Sequence, residues 1–114
     1  MSVAVGLNVW SRLVEDTFRY LDRTDSSFDL LWFPDHVQYN AHKVAEGWSL
    51  LAHALARYRD KLCGHEVLCN SFRNPAHLAK IVPTAQALSG GRVILRIGAG
   101  WNEEEYRAYG WPFP

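Results

Sequence analysis

Four apolar segments alternate with four segments of helical pattern, and this alternation restricts the fold more than any other feature of the sequence. The apolar segments occupy residues 3–10, 28–33, 65–72 and 93–97. The first alternates larger apolar residues with small or polar ones, and the second is a continuous apolar run apart from Asp29, as expected of a strand covered on both faces. Because a helix follows each strand, the sequence predicts an α/β fold of parallel βα units with right-handed crossovers.

The first two helices are delimited by residues that favour helix ends. Ser11 is predicted to cap a helix that runs to about residue 22. Its buried side is predicted to carry Val14, Phe18 and Leu21. The second helix is expected over residues 48–61, and Gly64 is expected to close it.

The third and fourth helices have clear beginnings as well. Asn74 is predicted to cap the third helix, with proline at the first helical position, and Pro83 is expected to kink it. Asn102 is predicted to cap the fourth helix, with Glu105 reaching back to the cap in a capping box. Gly110 is a natural end for that helix.

The composition argues against several classes of protein. Apolar residues make up 48% of the chain, and 12 basic residues balance 12 acidic ones without a basic run, so nucleic acid is not the expected partner. No apolar stretch approaches the roughly 20 residues that span a bilayer, and no signal peptide is recognisable. Only Cys63 and Cys69 are present, so we expect a cytoplasmic protein without a disulfide scaffold. The chain suits one small domain or part of a larger one, and its end resembles a place where a longer protein continues.

Polar, aromatic and glycine residues collect where the predicted strands end. In parallel α/β folds the carboxyl ends of the strands lie together at one end of the sheet, where ligands bind. The residues concerned are Asn8, Trp10, Asp35, His36, Cys69, Asn70, Ser71, Gly98, Ala99, Gly100 and Trp101. Glycine permits close approach to the backbone, aromatic rings stack, and amides and hydroxyls form hydrogen bonds. The set therefore suits a planar ligand.

Asp35 and His36 are the strongest candidates for acid–base chemistry, because histidine titrates near neutral pH. The alternative is an aspartate that caps the next segment beside a surface histidine. Gly98 and Gly100 likewise either cradle a phosphate or a flat ring, or form a tight turn. The polar segment at residues 38–47 exceeds the usual βα connection and is a candidate loop over the site.

Two other kinds of site are not expected. Cys69 has no activating base beside it in the sequence, which favours a buried thiol over a nucleophile. None of the five histidines lies in a neighbourhood rich in metal ligands, so no metal site is predicted.

Four motifs occur in an order and spacing that are known from one family. They are WFPDH at positions 32–36, NSFRNPAHLAK at 70–80, LSGGR at 88–92 and GAGWNEEEY at 98–106. Through these motifs the chain resembles the N-terminal portion of the luciferase-like flavin-dependent oxidoreductases (the bacterial luciferase-like monooxygenase family), which includes deazaflavin-dependent members. The resemblance covers nearly the whole chain.

The resemblance implies a fold and a cofactor. The implied fold is a TIM barrel, of which residues 1–114 would supply about the first four of eight βα units, a half-barrel. The implied cofactor is FMN or the deazaflavin coenzyme F-420, bound at the strand ends. His36 would lie beside the cofactor ring and the substrate, with Asp35 as its neighbour. Residues 69–71 would form a bulge behind the ring, and residues 98–101 would shape the pocket floor.

The chain departs from the family pattern at two positions. Arg96 stands where the family usually has a small residue. If its side chain points inward, the charge needs a partner, and Glu66 on the neighbouring strand is the candidate. Pro83 interrupts a helix that is usually unbroken.

Two functions remain open from the sequence. The first is a flavin- or deazaflavin-dependent oxidoreductase that transfers a hydride to or from a small organic substrate, with or without oxygen activation. The second is a catalytically inactive half-barrel that dimerises through its open edges as a structural or binding module. The expected partners are a small substrate, the cofactor, and either a second copy of the chain or the missing C-terminal half-barrel; neither nucleic acid nor a membrane is expected. A flavodoxin-like domain is disfavoured because no phosphate loop follows the first strand.

Overall fold

A computed structural model describes residues 3–10, 14–23 and 28–113, in which strands alternate with helices. In chain order the elements are β1 (Gly6–Asn8), α1 (Val14–Arg23), β2 (Leu30–Phe33), α2 (Gly47–Arg57), β3 (Leu62–His65), β4 (Leu68–Cys69), a 3-10 helix (Asn70–Phe72), α3 (Pro75–Ser89), β5 (Val93–Ile94), β6 (Ile97–Gly98) and α4 (Glu103–Tyr109). Among these helices none has the length and apolar character needed to cross a membrane.

The strands form the predicted parallel arrangement. β1, β2, β3 and β5 make a four-stranded parallel sheet in that order, and β4 pairs with β6 in a separate parallel pair. A helix lies between each strand of the main sheet and the next. Within the described residues β1 and β5 are the two edges, so the sheet is open, as expected of the first part of a barrel.

The core lies between one face of this sheet and the helices α1 and α2. Its buried side chains are Val9, Phe18, Leu21, Leu31, Phe33, Leu50, Leu51, Ala54, Leu55 and Cys63. The helix α2 contributes four of them, more than any other element, at spacings that place them on one side. Its first turn is capped by Glu46, whose carboxylate accepts hydrogen bonds from the N–H groups of Trp48 (3.0 Å) and Ser49 (2.7 Å).

The opposite face of the sheet carries the indole ring of Trp32. A Cβ atom at Gly6 would lie 2.8 Å from its Nε1, and one at Gly64 would lie 2.5 Å from its Cζ3, so the ring needs glycine on both neighbouring strands. Leu30 and Trp32 are only partly buried, whereas Leu31 and Phe33 are buried. Within the described residues this strand is therefore fully covered on one face and partly covered on the Trp32 face.

The third strand begins earlier than the sequence pattern predicts. β3 covers Leu62–His65 and pairs with β2, whereas the pattern predicts a strand over residues 65–72. The helix α2 accordingly ends at Arg57 rather than at residue 61, and Gly64 lies inside the strand instead of closing the helix. The reason is tertiary, because Arg92 donates to the carbonyl oxygens of Leu55 (2.6 Å), Tyr58 (2.7 Å) and Lys61 (2.9 Å) and so ends the helix early.

The rest of the predicted third strand is irregular. Glu66 and Val67, joined by a cis peptide bond, separate β3 from β4. The residues after β4 form the 3-10 helix rather than strand. The break therefore falls at residues 66–67, several positions before the bulge that the family resemblance implies at residues 69–71.

The predictions for α1 and α3 can be compared with the structure in detail. In α1 Phe18 and Leu21 are buried as predicted, but Val14 is half exposed and Thr17 is buried instead. The predicted cap, Ser11, lies outside the described residues. The helix α3 is capped by Asn74 as predicted and runs without a break through Pro83.

The fourth βα unit contains two short strands where one is predicted. β5 pairs with β3, and β6 pairs with β4, so the chain changes partners at Leu95 and Arg96. The guanidinium group of Arg96 lies 5.0 Å from the ring centre of Trp32 and forms the predicted ion pair with Glu66. About half of the Arg96 side chain is exposed, so the structure does not bury this charge fully.

Candidate functional site

A cavity of about 230 Å³ lies where β2, β4 and β6 end and α4 begins. It is lined by Asp35, His36, Glu66, Val67, Cys69, Phe72, Gly100, Trp101 and Glu105. Ionisable groups, a glycine turn and two aromatic rings therefore meet at the carboxyl ends of parallel strands, the usual position of ligand sites in such folds.

His36 is held at this cavity by a carboxylate from the other end of the chain. Its Nδ1 lies 2.9 Å from Oε2 of Glu105, and the Glu105 side chain is only 1% exposed. The other carboxylate oxygen accepts hydrogen bonds from the backbone N–H groups of Val37 (2.8 Å) and Gln38 (3.0 Å). The predicted capping box is therefore wrong. Glu105 points to the segment that follows β2, residues 36–38, called the β2 loop below, and the side chain of Asn102 makes no capping hydrogen bond.

Three aromatic rings surround the imidazole of His36. The ring centres of Trp10, Tyr39 and Trp101 lie 5.6, 5.1 and 5.8 Å from it. The two tryptophans are more than half exposed, so their ring faces are open to a ligand. Tyr39 comes from the polar segment that the sequence places over the site, and it forms an isolated bridge with His42 there.

Asp35 pairs with an arginine and a backbone N–H group rather than with its sequence neighbour His36. Its two oxygens accept hydrogen bonds from the guanidinium group of Arg73 (2.5 and 2.7 Å), and one also accepts from the N–H of Cys69 (2.7 Å). The carboxylate that contacts the His36 ring is instead Glu105. Asp35 is buried and links the end of β2 to the segment after β4, which is a structural role.

Arg73 completes a charged network beneath the site. It also donates to the Glu46 carboxylate (2.9 Å) and to the carbonyl oxygen of Cys69 (3.3 Å). Burial lowers the pKa of Arg73, but the hydrogen bonds and charges of Asp35 and Glu46 together outweigh burial and raise it above the usual value. Burial raises the pKa of Glu46, but the hydrogen bonds from Ser49 and Trp48 and the charge of Arg73 together lower it. Both shifts favour the charged forms of Arg73 and Glu46, and the network fixes three segments relative to one another.

The glycine turn is packed tightly against the protein itself. A Cβ atom at Gly100, whose φ is +80°, would lie 2.4 Å from Oη of Tyr106 and 2.8 Å from Sγ of Cys69. At Gly98 it would lie 2.4 Å from a methyl carbon of Val67. Tyr106 donates a hydrogen bond to the carbonyl oxygen of Ala99. Both glycines are thus required by close packing, which supports the interpretation of the motif as a tight turn.

The structure brings together some of the residues proposed from the sequence and separates others. Asp35, His36, Cys69, Gly100 and Trp101 line the cavity. Asn8 lies instead in a separate groove beside α1, with Trp10 and Tyr20 among its neighbours. The remaining candidates, Asn70, Ser71, Gly98 and Ala99, adjoin the cavity without lining it; the Ser71 hydroxyl donates to the carbonyl oxygen of Ala99 (3.2 Å). As predicted, Cys69 is buried.

Sequence reasoning missed four residues that line the cavity: Glu66, Val67, Phe72 and Glu105. From the sequence, Glu66 is expected only as an ion-pair partner and Glu105 only as part of a helix cap. The sequence signal for Glu105 was that three glutamates follow one another at the start of the helix, when one or two acidic residues already satisfy the helix dipole. In the part of the chain that the structure describes, no group of three or more metal-binding side chains is assembled.

The fold and the cavity define an α/β protein whose candidate site lies at the carboxyl ends of parallel strands. The family model described as luciferase-like monooxygenase matches residues 14–114. The chain belongs to this family.

Three relatives illustrate the similarity. The chain is 38% identical over 93 residues to the F420-dependent glucose-6-phosphate dehydrogenase of Intrasporangium calvum, with 76% of this chain and 28% of the relative covered. It is 30% identical over 105 residues to the phthiodiolone/phenolphthiodiolone dimycocerosates ketoreductase of Mycobacterium sp. (strain JLS), with 74% and 28% covered. It is 37% identical over 76 residues to the 5,10-methylenetetrahydromethanopterin reductase of Archaeoglobus fulgidus, with 67% and 21% covered. The chain thus spans roughly a quarter of the length of these curated relatives.

Proposed function

We propose that the protein is an oxidoreductase of the deazaflavin-dependent type, which transfers a hydride to or from a small organic substrate. The observation that carries the proposal is the placement of His36 at a cavity that also contains an exposed indole and a glycine turn. The relative with F420 in its name supports the deazaflavin coenzyme over FMN. All three relatives are named as dehydrogenases or reductases, which supports hydride transfer without oxygen activation.

The lining residues fit the ring portion of such a cofactor. Trp101 offers an exposed aromatic ring, Val67 and Phe72 add apolar surface, and His36 and Glu66 add polar groups, a combination that suits a flat ring with apolar faces and polar edges. The two arginines nearby, Arg73 and Arg96, are both engaged in ion pairs with carboxylates, so this part of the site is suited to the ring rather than to a phosphate. When bound, the cofactor supplies a ring that gives or accepts a hydride.

The protein's own contribution would be proton transfer and orientation. Hydride transfer between a carbon atom and an acceptor leaves a proton to be moved on the substrate oxygen, and His36 is the group placed to accept or return it. Asp35, which was predicted from the sequence to share in catalysis, would act by fixing the end of β2 that carries His36. Trp10, Tyr39 and Trp101 would exclude water and hold apolar parts of the ligand.

Equilibrium binding of the deazaflavin coenzyme and of FMN, followed by fluorescence, tests the proposal. We expect the deazaflavin to bind and the variant Trp101→Ala to bind it roughly 2- to 12-fold more weakly, the equivalent of about 0.5–1.5 kcal/mol for one aromatic contact. Tyr20→Leu, which changes an exposed ring on α1, is the control and should bind like the wild type. The variant His36→Ala should retain binding and lose about 10²–10⁴-fold in turnover. Undiminished turnover in that variant, or preferential binding of FMN, contradicts the corresponding part of the proposal.

The open sheet favours a second candidate, a half-barrel that dimerises as a binding module. β1 and β5 are unpaired on their outer sides within the described residues, and Ile97 on β6 is more than half exposed. Unpaired strand edges are ready surfaces for association. Size-exclusion chromatography with and without the coenzyme separates the candidates, because a stable monomer that binds the coenzyme contradicts the dimerising module.

A further inference from the structure

Glu105 is a buried carboxylate that the helix carrying it does not explain. Its neighbours Glu103 and Glu104 are exposed and already place negative charge in the first turn of α4. Burial of a charged group is costly unless hydrogen bonds compensate it. The compensating partners of Glu105 all lie in the β2 loop, where it accepts from two backbone N–H groups and meets the His36 ring.

We propose that Glu105 is the positioning residue for His36, and that it fixes the imidazole with its proton on Nδ1. A carboxylate can only accept hydrogen bonds, so the nitrogen that lies 2.9 Å from Oε2 must be the donor. In the neutral ring the other nitrogen, Nε2, then carries no proton and is the acceptor. This inference rests on the proposed function in one respect: Nε2 is the atom that would take the substrate proton.

The same carboxylate also orders the segment around the ring. Its Oε1 holds the N–H groups of Val37 and Gln38, the two residues that follow His36, and Tyr109 on α4 donates to the carbonyl oxygen of Val37 (3.3 Å). Tyr39, the next residue, packs against His36 and Trp101. One side chain therefore fixes the tautomer of the imidazole, its orientation, and the aromatic ring beside it.

Long-range ¹H–¹⁵N spectra of the histidine rings test this inference without any cofactor. The signals of His36 are identified by their loss in His36→Asn. In the neutral form of the wild-type protein we expect a protonated Nδ1 and an unprotonated Nε2, the reverse of free neutral histidine, in which the Nε2–H tautomer predominates. In Glu105→Gln the amide oxygen can accept from the two backbone N–H groups, which turns the NH₂ group toward Nδ1. We therefore expect the two nitrogen signals to exchange character, with the proton on Nε2.

The control variant is Glu103→Gln, which changes an exposed glutamate of the same helical turn that pairs only with Arg107 among the described contacts. It should give the wild-type pattern. The inference is overturned if His36 of the wild type carries its proton on Nε2, if the ring stays doubly protonated throughout the titration, or if Glu105→Gln keeps the wild-type pattern. The wild-type spectrum decides even if Glu105→Gln fails to fold. The spectra need no coenzyme, so the two proposals can fail separately. If the protein shows the expected tautomer but binds no deazaflavin, the proposed function is rejected and this inference stands.

Discussion

The buried ion pair between Asp35 and Arg73 allows a sharp test of what holds the candidate site together. The Asp35 side chain is 1% exposed and that of Arg73 is 13% exposed. The change Asp35→Asn keeps the shape of the side chain but removes its charge and turns an NH₂ group toward the guanidinium or toward the N–H of Cys69. Removing one partner of a buried pair typically costs about 3–5 kcal/mol, because the other charge loses its compensation. Arg73 keeps the Glu46 carboxylate (2.9 Å) as a partner, so we expect a loss at the lower end of this range.

A loss of this size is a large fraction of the stability of an ordinary domain, about 5–15 kcal/mol. Equilibrium urea unfolding of the wild type and the variant measures it. The chain offers a matched control in Asp22, which also forms a two-pronged pair with an arginine (2.9 and 2.5 Å to Arg57) but is substantially exposed. Asp22→Asn should therefore cost much less than Asp35→Asn.

A double variant separates the ion pair from other effects of the change. Once Arg73 is replaced by methionine, Asp35→Asn should cost clearly less than it does in the wild type, because the buried charge it would strand is gone. The reasoning is refuted if Asp35→Asn costs no more than Asp22→Asn, or if the two substitutions at the buried pair are simply additive.

Three further predictions follow from the packing. Gly100→Ala should destabilise the fold more than Gly90→Ala, because both positions have positive φ but only the Cβ at Gly100 would collide, 2.4 Å from Oη of Tyr106. Thermal unfolding compares the two variants, and equal losses of stability contradict the packing argument. Burial lowers the pKa of His65 below 6.5, so the unfolded chain binds the proton first and the folded state loses stability as the pH drops below 6.5. The urea midpoints at about pH 7.5 and about pH 5.5 should therefore differ less in His65→Phe than in the wild type, and an unchanged difference contradicts the role of His65. Arg92→Met frees the carbonyl oxygens at the end of α2 and should cost at least about 1.5–3 kcal/mol in urea unfolding, with Arg107→Met, an exposed arginine, as the neutral comparison.

Local signals were sufficient for much of the fold. Asn74 caps α3 as predicted because its side chain reaches the next N–H groups in the same turn, and Gly110 ends α4 because only glycine adopts its φ of +70° without strain. The parallel order of the strands followed from the alternation of apolar runs and helices. The errors occurred where a distant residue competes with a local pattern, as at the end of α2, where Arg92 takes the carbonyl oxygens.

The predictions for the candidate site succeeded and failed for the same reason. Sequence placed His36 and Trp101 at strand ends that meet, and the cavity contains both. It assigned Asp35 to His36 because the two are adjacent, yet adjacent side chains at the end of a strand point in different directions. The carboxylate that reaches the imidazole comes from Glu105, 69 positions along the chain.

By itself, then, the sequence determined the order of the elements, the family, and the set of residues at the strand ends, because periodicity, caps and motifs are properties of neighbouring positions. The pair of Arg96 with Glu66 was predictable as well, but only the tertiary structure decided which partners Asp35 and His36 take at the candidate site. Asp35 holds Arg73 and Glu105 holds His36, and both pairings join segments more than 30 residues apart. A buried charge takes whichever partner the packing brings within hydrogen-bond distance, and that distance is not written in any local pattern.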